Sequence, residues 1–379
     1  MQPTIHLALV DDWELSGNGS GDPREIQFGP MRELVSVYHR HGIRGSFNAE
    51  VMQQLAFRKL QMAHPELKTL ADEWDAAVQD VFRQGHDVQL HIHPQWSDAE
   101  YVDGKWQLTA DWSILNYSEE EARQMIRRCK QYLEHLLRPL DPTYSCVSFR
   151  SGSWCIAPSP HMLRLLVEAD IVFDMSIVGG VRYQTRRINL DYSACEEDFL
   201  PFYPVMTDAR KVSRHPEPIV CIPTNHFYGS RRQTFQHHLR KVVGKVKSRT
   251  NSAREEHLGR SAETYGHEWA QTNESLAIRV YEKGVVPYLK GRHLISDLAQ
   301  LDYALMREML DSIRRRARTA NVPNIPVILE NHTKDIRDFT DIDRFAAELA
   351  KARDIRCVTL TDLASGLQHG RFPIKRATA

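Results

Sequence analysis

The sequence predicts an α/β barrel, and three observations carry that expectation. Short β-rich apolar runs alternate with longer segments of helical periodicity, the pattern of a parallel sheet whose crossovers are helices. There are about seven such runs, which suits a closed or nearly closed ring better than an open sheet. Four runs end in unusual polar groups, and in a parallel α/β barrel functional side chains collect where the strands end.

In chain order, a strand is expected over residues 5–10, a helix over 31–41 and a short strand over 45–48. Helices follow over 51–62 and 65–84, the second closed by Gly85 as a C-cap. The run 87–93 reads as a strand. The segment 118–137 reads as a helix opened by Ser118, with Glu121 three residues on as a capping box. Further strands are expected over 147–150, 171–177, 219–223, 326–330 and 357–361, and helices over 158–168, 301–318 and 342–351. Residues 183–218 are irregular and rich in aromatics and Pro, and 228–296 also breaks the alternation. Both are expected to be insertions on one barrel spanning 1–379, because the strand pattern resumes after them. The chain of 379 residues exceeds the ~250–300 at which a single core stops growing, which insertions would explain.

Composition removes several classes. With 42% hydrophobic and 26% charged residues, the chain is neither disordered nor fibrous. Forty-nine basic residues balance 49 acidic ones, so no global field would recruit nucleic acid or an anionic membrane. A local exception is the stretch 231–260, with nine Lys or Arg, among them Arg240, Lys241, Lys245, Lys247 and Arg249, against Glu255 and Glu256. It reads as a solvated face or as a contact for an anionic substrate handle or an acidic partner. No stretch approaches the ~18 uncharged residues of a membrane span. The run 5–10 lacks a basic leader and meets Asp11 and Asp12 at once, which does not suit a signal peptide. Six scattered cysteines form no C-x-x-C pair and read as reduced thiols, so a cytoplasmic protein is expected.

The chemistry-bearing strand ends are Leu9-Val10-Asp11-Asp12, Leu90-His91-Ile92-His93-Pro94, Phe149-Arg150-Ser151-Gly152-Ser153-Trp154 and Leu329-Glu330-Asn331-His332-Thr333. His91 and His93 are two apart in a strand, leave the same face and can reach one ion. Two histidines completed by a carboxylate form a familiar hydrolytic metal shell. Two polar-loop histidines and a solvated Asp pair are the plain structural alternative. The chain's 18 histidines, against 13 Phe and 13 Tyr, favour metal or proton chemistry.

Taken in order, Asp11-Asp12, Gly85-His86-Asp87-Val88 leading into His91 and His93-Pro94, Phe149-Arg150 with Gly152 and Trp154, Phe173-Asp174-Met175-Ser176, and His332 resemble the polysaccharide deacetylase (NodB-homology) superfamily. The resemblance covers roughly 5–363, with no motif placed between 177 and 326. It implies a deformed (β/α)7 barrel and one divalent metal ion, usually Zn, with Co, Mn, Ni or Fe as alternatives. It also implies hydrolysis of an acetyl group, N-acetyl above all, from a sugar. It makes Asp12, His91 and His93 the metal ligands, Asp11 the general base, Arg150 the group that orients the base, and His332 the general acid. Two departures stand out. The family spaces its metal histidines four apart where this chain spaces them two, and no Asp follows His332 directly. Trp154 is a candidate for packing on a sugar ring or for a barrel-rim core aromatic. Asp174 either orients His332 or caps a strand, and Asn225 and His226 either meet substrate at the rim or are surface polar residues. An acetylated sugar precursor of a surface polysaccharide such as O-antigen, on a nucleotide or lipid diphosphate, is the expected substrate. Hydrolysis of a non-sugar amide, or a catalytically silent carbohydrate-binding barrel, are the alternatives.

Overall fold

The structure is a computed structural model, and it describes residues 3–184, 188–231 and 292–378. The basic stretch expected over 231–260 lies outside them except for Arg231, as does most of the insertion expected over 228–296.

Seven strands form a curled, all-parallel sheet: β1 (Thr4–Trp13), β2 (Ser46–Glu50), β3 (Asp87–Ile92), β4 (Ser148–Ser151), β5 (Phe173–Asp174), β6 (Val220–Cys221) and β7 (Asn324–Asn331). Their spatial order is β6-β5-β4-β3-β2-β1-β7. The two edges meet at one parallel bridge, Thr224 to Ile328, where the Asn225 amide donates to the Ile328 carbonyl at 2.9 Å. The expected deformed barrel of seven strands is therefore present, with its seam closed by this bridge alone among the described residues.

An eighth strand, β8 (Ile355–Cys357), pairs with Ile5 to Leu7, while β2 pairs with Val10 to Trp13. Ten residues of β1 thus serve two neighbours on one edge. Where a strand was expected over 357–361, only 357 is in one, because Thr359 and Asp362 form a reciprocal capping box that starts helix α8 (Leu360–Gln368).

Around the ring pack α1 (Gly29–Arg40), α2 (Val51–Leu60), α3 (Pro65–Arg83), α4 (Glu119–Leu137), α5 (Met162–Glu168), α6 (Tyr303–Ala320) and α7 (Thr340–Lys351). Ser118 caps α4 with the expected capping box, and Gly85, at φ 84°, turns the chain out of α3 towards β3 in a conformation that disfavours any Cβ.

Two apolar layers follow from strand alternation. Ile5, Leu7, Leu9 and Trp13 of β1 face the helices, with Leu90 and Ile92 of β3, Phe149 of β4 and Val327 and Leu329 of β7. Ala8, Val10, Ile328, Phe173 and Val220 face the barrel interior and meet Leu360, Leu363 and Leu367 of α8. Each large apolar side chain removed from water contributes about 1.5–3 kcal/mol, so both faces of the sheet are anchored. The interior is apolar only where α8 packs against it. Further along each strand the same inward parity carries charged groups, and these form the candidate site.

Between β5 and β6 the chain makes two small hairpins, Arg182–Gln184 with Asn189–Asp191 and Pro204–Val205 with Asp208–Val212. His226–Gly229 also pairs antiparallel with Arg292–Ile295, and the chain that follows brings Asp297 to the cavity.

Candidate functional site

A strand side chain changes face at every residue. With Ala8 and Val10 pointing inward, so do Asp12 and Glu14, while Asp11 falls on the helix-facing side with Leu9 and Trp13. The same alternation sends His91 inward from β3, Arg150 from β4, and Glu330 from β7. Past the strand ends, His93 and His332 continue it. A cavity of about 180 Å³ opens between them, lined by Asp12, Glu14, His91, His93, Glu330, His332 and Lys334 together with Ser151, Ser153, Trp154, Asp297 and Asp335.

His91 and His93 converge as their spacing requires. Their Nε2 atoms are 3.0 Å apart, and Glu14 Oε2 lies 3.3 Å from His91 Nε2 and in still closer contact with His93 Nε2. Zinc bonds N and O donors at ~2.0–2.2 Å, which places its ligand atoms ~3–3.5 Å from one another; the separations from His91 already fit one ion, and the closer His93–Glu14 contact would open slightly around it. The His91 Nδ1–H donates to the Arg150 carbonyl at 2.8 Å, which turns Nε2 towards the cavity, and the Gln95 amide holds His93 Nδ1 at 2.9 Å. Glu50, at the end of β2, caps α2 through the Met52 and Gln53 amides and also accepts from the His93 amide at 3.0 Å. Gly152 is required beside this shell: a Cβ there would lie 2.7 Å from the Ile92 carbonyl oxygen and 2.9 Å from His93 Nδ1.

Glu14 is the donor that sequence reasoning missed. Burial opposes its ionisation, but the charges of His93 and Lys334 and the histidine hydrogen bonds outweigh it and hold the carboxyl well below its usual range. Lys334 pairs with its Oε1, leaving Oε2 to the histidines.

Asp12, the expected metal ligand, stands beside the Glu14, His91 and His93 donor set and not within it. Its Oδ1 accepts from Arg150 Nη1 at 2.7 Å and from Asn48 Nδ2 at 2.8 Å. Its Oδ2 lies 4.0 Å from His91 Nε2 and 3.9 Å from His332 Nε2. Although burial disfavours the anion, Arg150 and the neighbouring histidines keep Asp12 ionised. Arg150 is fully buried and also donates to Thr224 Oγ1 at 3.0 Å. It orients a carboxylate as expected, but that carboxylate is Asp12.

Asp11, expected as the base, does not line the cavity. Its Oδ1 accepts from Asn331 Nδ2 at 2.6 Å on the outer side of the sheet, and burial together with the Asp12 charge pushes it well above the carboxylate range. A carboxyl that faces the helices and does not line the cavity is badly placed to act as a base for a reaction inside the barrel.

His332 is brought to the cavity. Its Nδ1 meets Asp297 Oδ2 at 3.1 Å and its Nε2 points inward, 3.5 Å from Glu330 Oε1. Burial lowers its basicity, but Asp297 more than compensates and lifts it to about 10. Trp154 also reaches the site: its Nε1 donates to Glu330 Oε2 at 3.2 Å, and its ring stacks on Tyr183 with centroids 6.0 Å apart. Ser153 and Trp154 both adopt left-handed backbone, φ 53° and 56°, which L residues rarely hold outside sites that need it.

The other three candidates lie elsewhere. Asp174 is fully buried behind β4, accepting from Ser176 Oγ at 2.6 Å and the Ser176 amide at 3.0 Å, while Ser176 Oγ accepts from the Ser151 amide. It props the strand end and does not touch His332. Asn225 serves the barrel seam through its backbone, and its side chain does not line the cavity. His226 contacts Asp198 at 2.9 Å and His293 at 2.8 Å, away from the cavity.

Burial raises Asp174 from 3.8 to about 7. Because the folded value exceeds the unfolded one, this carboxyl favours folding fully only below about pH 4, and the benefit is lost as pH rises towards 7. At ~1.4 kcal/mol per unit, the loss approaches ~4 kcal/mol. Urea unfolding at pH 5 and pH 8 is therefore expected to show the wild type weakening relative to Asp174→Asn; equal pH dependence of the two would contradict this.

No family model matches the chain, and no curated protein does. Among solved structures it is similar to a protein described as a polysaccharide deacetylase from Mycobacterium smegmatis, at 14% identity and TM-score 0.49, over 100% of this chain and 95% of that one. It is likewise similar to an allantoinase, at 10% identity and TM-score 0.46, over 97% and 91%. A further similar structure, described as a polysaccharide deacetylase from Pseudomonas aeruginosa PAO1, shares 11% identity at TM-score 0.45, over 96% of this chain and 91% of that one.

Proposed function

We propose that this chain is a divalent-metal-dependent hydrolase that removes an acetyl group from an amide nitrogen on a sugar. The observation that supports the reading is the meeting of Glu14 Oε2, His91 Nε2 and His93 Nε2 beside an Asp12 carboxylate whose second oxygen is held by Arg150. Two imidazoles and a carboxylate with open positions suit zinc, and also Co, Mn, Ni or Fe. An ion there supplies Lewis acidity towards a carbonyl oxygen and makes water more acidic.

The chain's own residues do the rest. Asp12 Oδ2 takes a proton from the attacking water, and Arg150 and Asn48 keep the group ionised by holding Oδ1. His332, fixed through Nδ1 by Asp297, gives a proton from Nε2 to the departing amine. Trp154, backed by Tyr183, offers a flat apolar face for a sugar ring. Lys334 fixes the second oxygen of Glu14 so that a single oxygen points at the histidines. The acetylated sugar is read as an intracellular precursor of a surface polysaccharide such as O-antigen, carried on a nucleotide or lipid diphosphate.

The test is acetate release. Protein stripped with EDTA and reloaded with Zn²⁺ is offered N-acetylglucosamine oligomers, a nucleotide-linked N-acetyl sugar and a non-sugar amide. Metal-dependent acetate from an N-acetyl sugar is expected. Cleavage of the non-sugar amide alone, or acetate release that survives EDTA, would overturn the proposal.

A further inference from the structure

We infer that Asp12, Glu330 and His332 form a second, weaker divalent-cation site whose filling silences the first. This site is not needed for the hydrolytic reading, but its effect on rate rests on that reading.

Three atoms converge. His332 Nε2 lies 3.5 Å from Glu330 Oε1 and 3.9 Å from Asp12 Oδ2, separations that a small contraction brings into the range of ligands around one ion. An independent observation points the same way. Glu330 is fully buried, its Oε2 accepts from Trp154 Nε1, and its Oε1 has no hydrogen-bond partner although it faces the cavity. The nearest charged neighbour of Oε1, His332 Nε2 at 3.5 Å, makes no hydrogen bond to it, and a buried carboxylate oxygen without one is costly, so an ion bound between the two would satisfy it directly. His332 can serve as a ligand as well, once the ion displaces its Nε2 proton to solvent, since its Nδ1 meets Asp297 and its Nε2 is turned inward, the arrangement that orients metal-bound imidazoles.

The site must be the weaker of the two. Arg150 already occupies the other oxygen of Asp12, Lys334 stands beside Glu14, and an ion in the first shell would lie alongside. A second ion would engage Asp12 Oδ2 and His332 Nε2, the two atoms assigned to proton transfer. Hydrolysis and second-site occupancy therefore exclude each other.

The experiment is titration of the metal-free full-length protein with Zn²⁺, followed by equilibrium dialysis and elemental analysis. Two ions per chain are expected, the second bound about 100-fold more weakly. Glu330→Gln should retain the first ion only. In the same titration, acetate release by the wild type should rise to one equivalent and fall at least tenfold as the second ion binds. Mn²⁺ loading of the unmodified protein gives a reading independent of any variant: the second equivalent should broaden the electron paramagnetic resonance signal of the first. One ion in both proteins, two in both, or an unbroadened Mn²⁺ signal would overturn the second site and leave the hydrolytic reading standing. No ion in the wild type would overturn both.

Discussion

Asp12→Asn is expected to lower kcat/KM for acetate release by about 10³-fold, within the range of a lost general base, while the protein still binds its first Zn²⁺. Asp11→Asn should stay within about threefold of wild type, as a change outside the reacting groups. The two residues are adjacent, so the contrast isolates direction from chemistry. Asp12 points into the cavity with Oδ1 held by Arg150 and Asn48, and Asp11 points at the helices with its Oδ1 on Asn331. Asparagine matches aspartate in shape, so neither change opens a void. Steady-state acetate release with parallel metal analysis decides the matter, and an inactive Asp11→Asn beside a fully active Asp12→Asn would make Asp11 the base and leave Asp12 a structural partner of Arg150.

That contrast also shows where the sequence is legible and where it is not. The pair His91 and His93 sits two apart in a strand, and period-two geometry brings their Nε2 atoms to 3.0 Å. The same rule on the first strand selects Asp12 and Glu14. Two successive aspartates after residues 5–10 look like a strand end, and that appearance hides the rule. The strand in fact continues to Trp13, whose indole is fully buried and packs on Trp74 at 5.2 Å. Burial of that one aromatic carries the strand past both carboxylates and puts Glu14 within reach of the histidines. Glu330 and His332 share the same spacing and the same inward parity, so Glu330 is equally available to that reading.

Other features depend on partners remote in sequence. The seam of the barrel is a bridge between Thr224 and Ile328, which no local pattern announces. Resemblance offers Asp174 as a partner for His332, whereas its register with Phe149 sets it on the outer parity of the sheet. The run Val358-Thr359-Leu360-Thr361 reads as a strand by β-propensity, yet the Thr359–Asp362 box starts a helix there, and α8 then finds apolar barrel surface to cover. Asp297 reaches His332 just after a strand, Arg292–Ile295, for which the sequence carries no motif.

Glu14→Gln should cost about 10²–10³-fold in Zn²⁺ affinity, because the ~10–16 kcal/mol of zinc binding in four-ligand structural sites gives roughly 3 kcal/mol per ligand. Activity at sub-saturating Zn²⁺ should fall by a similar factor. The substitution also removes the charge that pairs with Lys334, whose side chain is only 9% exposed. Removing the Glu14 charge from beside such a buried ammonium costs on the order of 3 kcal/mol. Glu14→Gln is thus expected to lower the midpoint of thermal unfolding as well as metal affinity, and the two losses have different causes. A double variant, Glu14→Gln with Lys334→Met, separates them: it should regain most of the stability, since neither charge remains, but none of the zinc affinity. Competition of each protein with a chelator of known affinity, beside thermal denaturation of the metal-free forms, gives both readings. If the double variant recovered zinc binding together with stability, Glu14 would be a structural partner of Lys334 and not a ligand, and the metal shell assigned to Glu14, His91 and His93 would have to be abandoned.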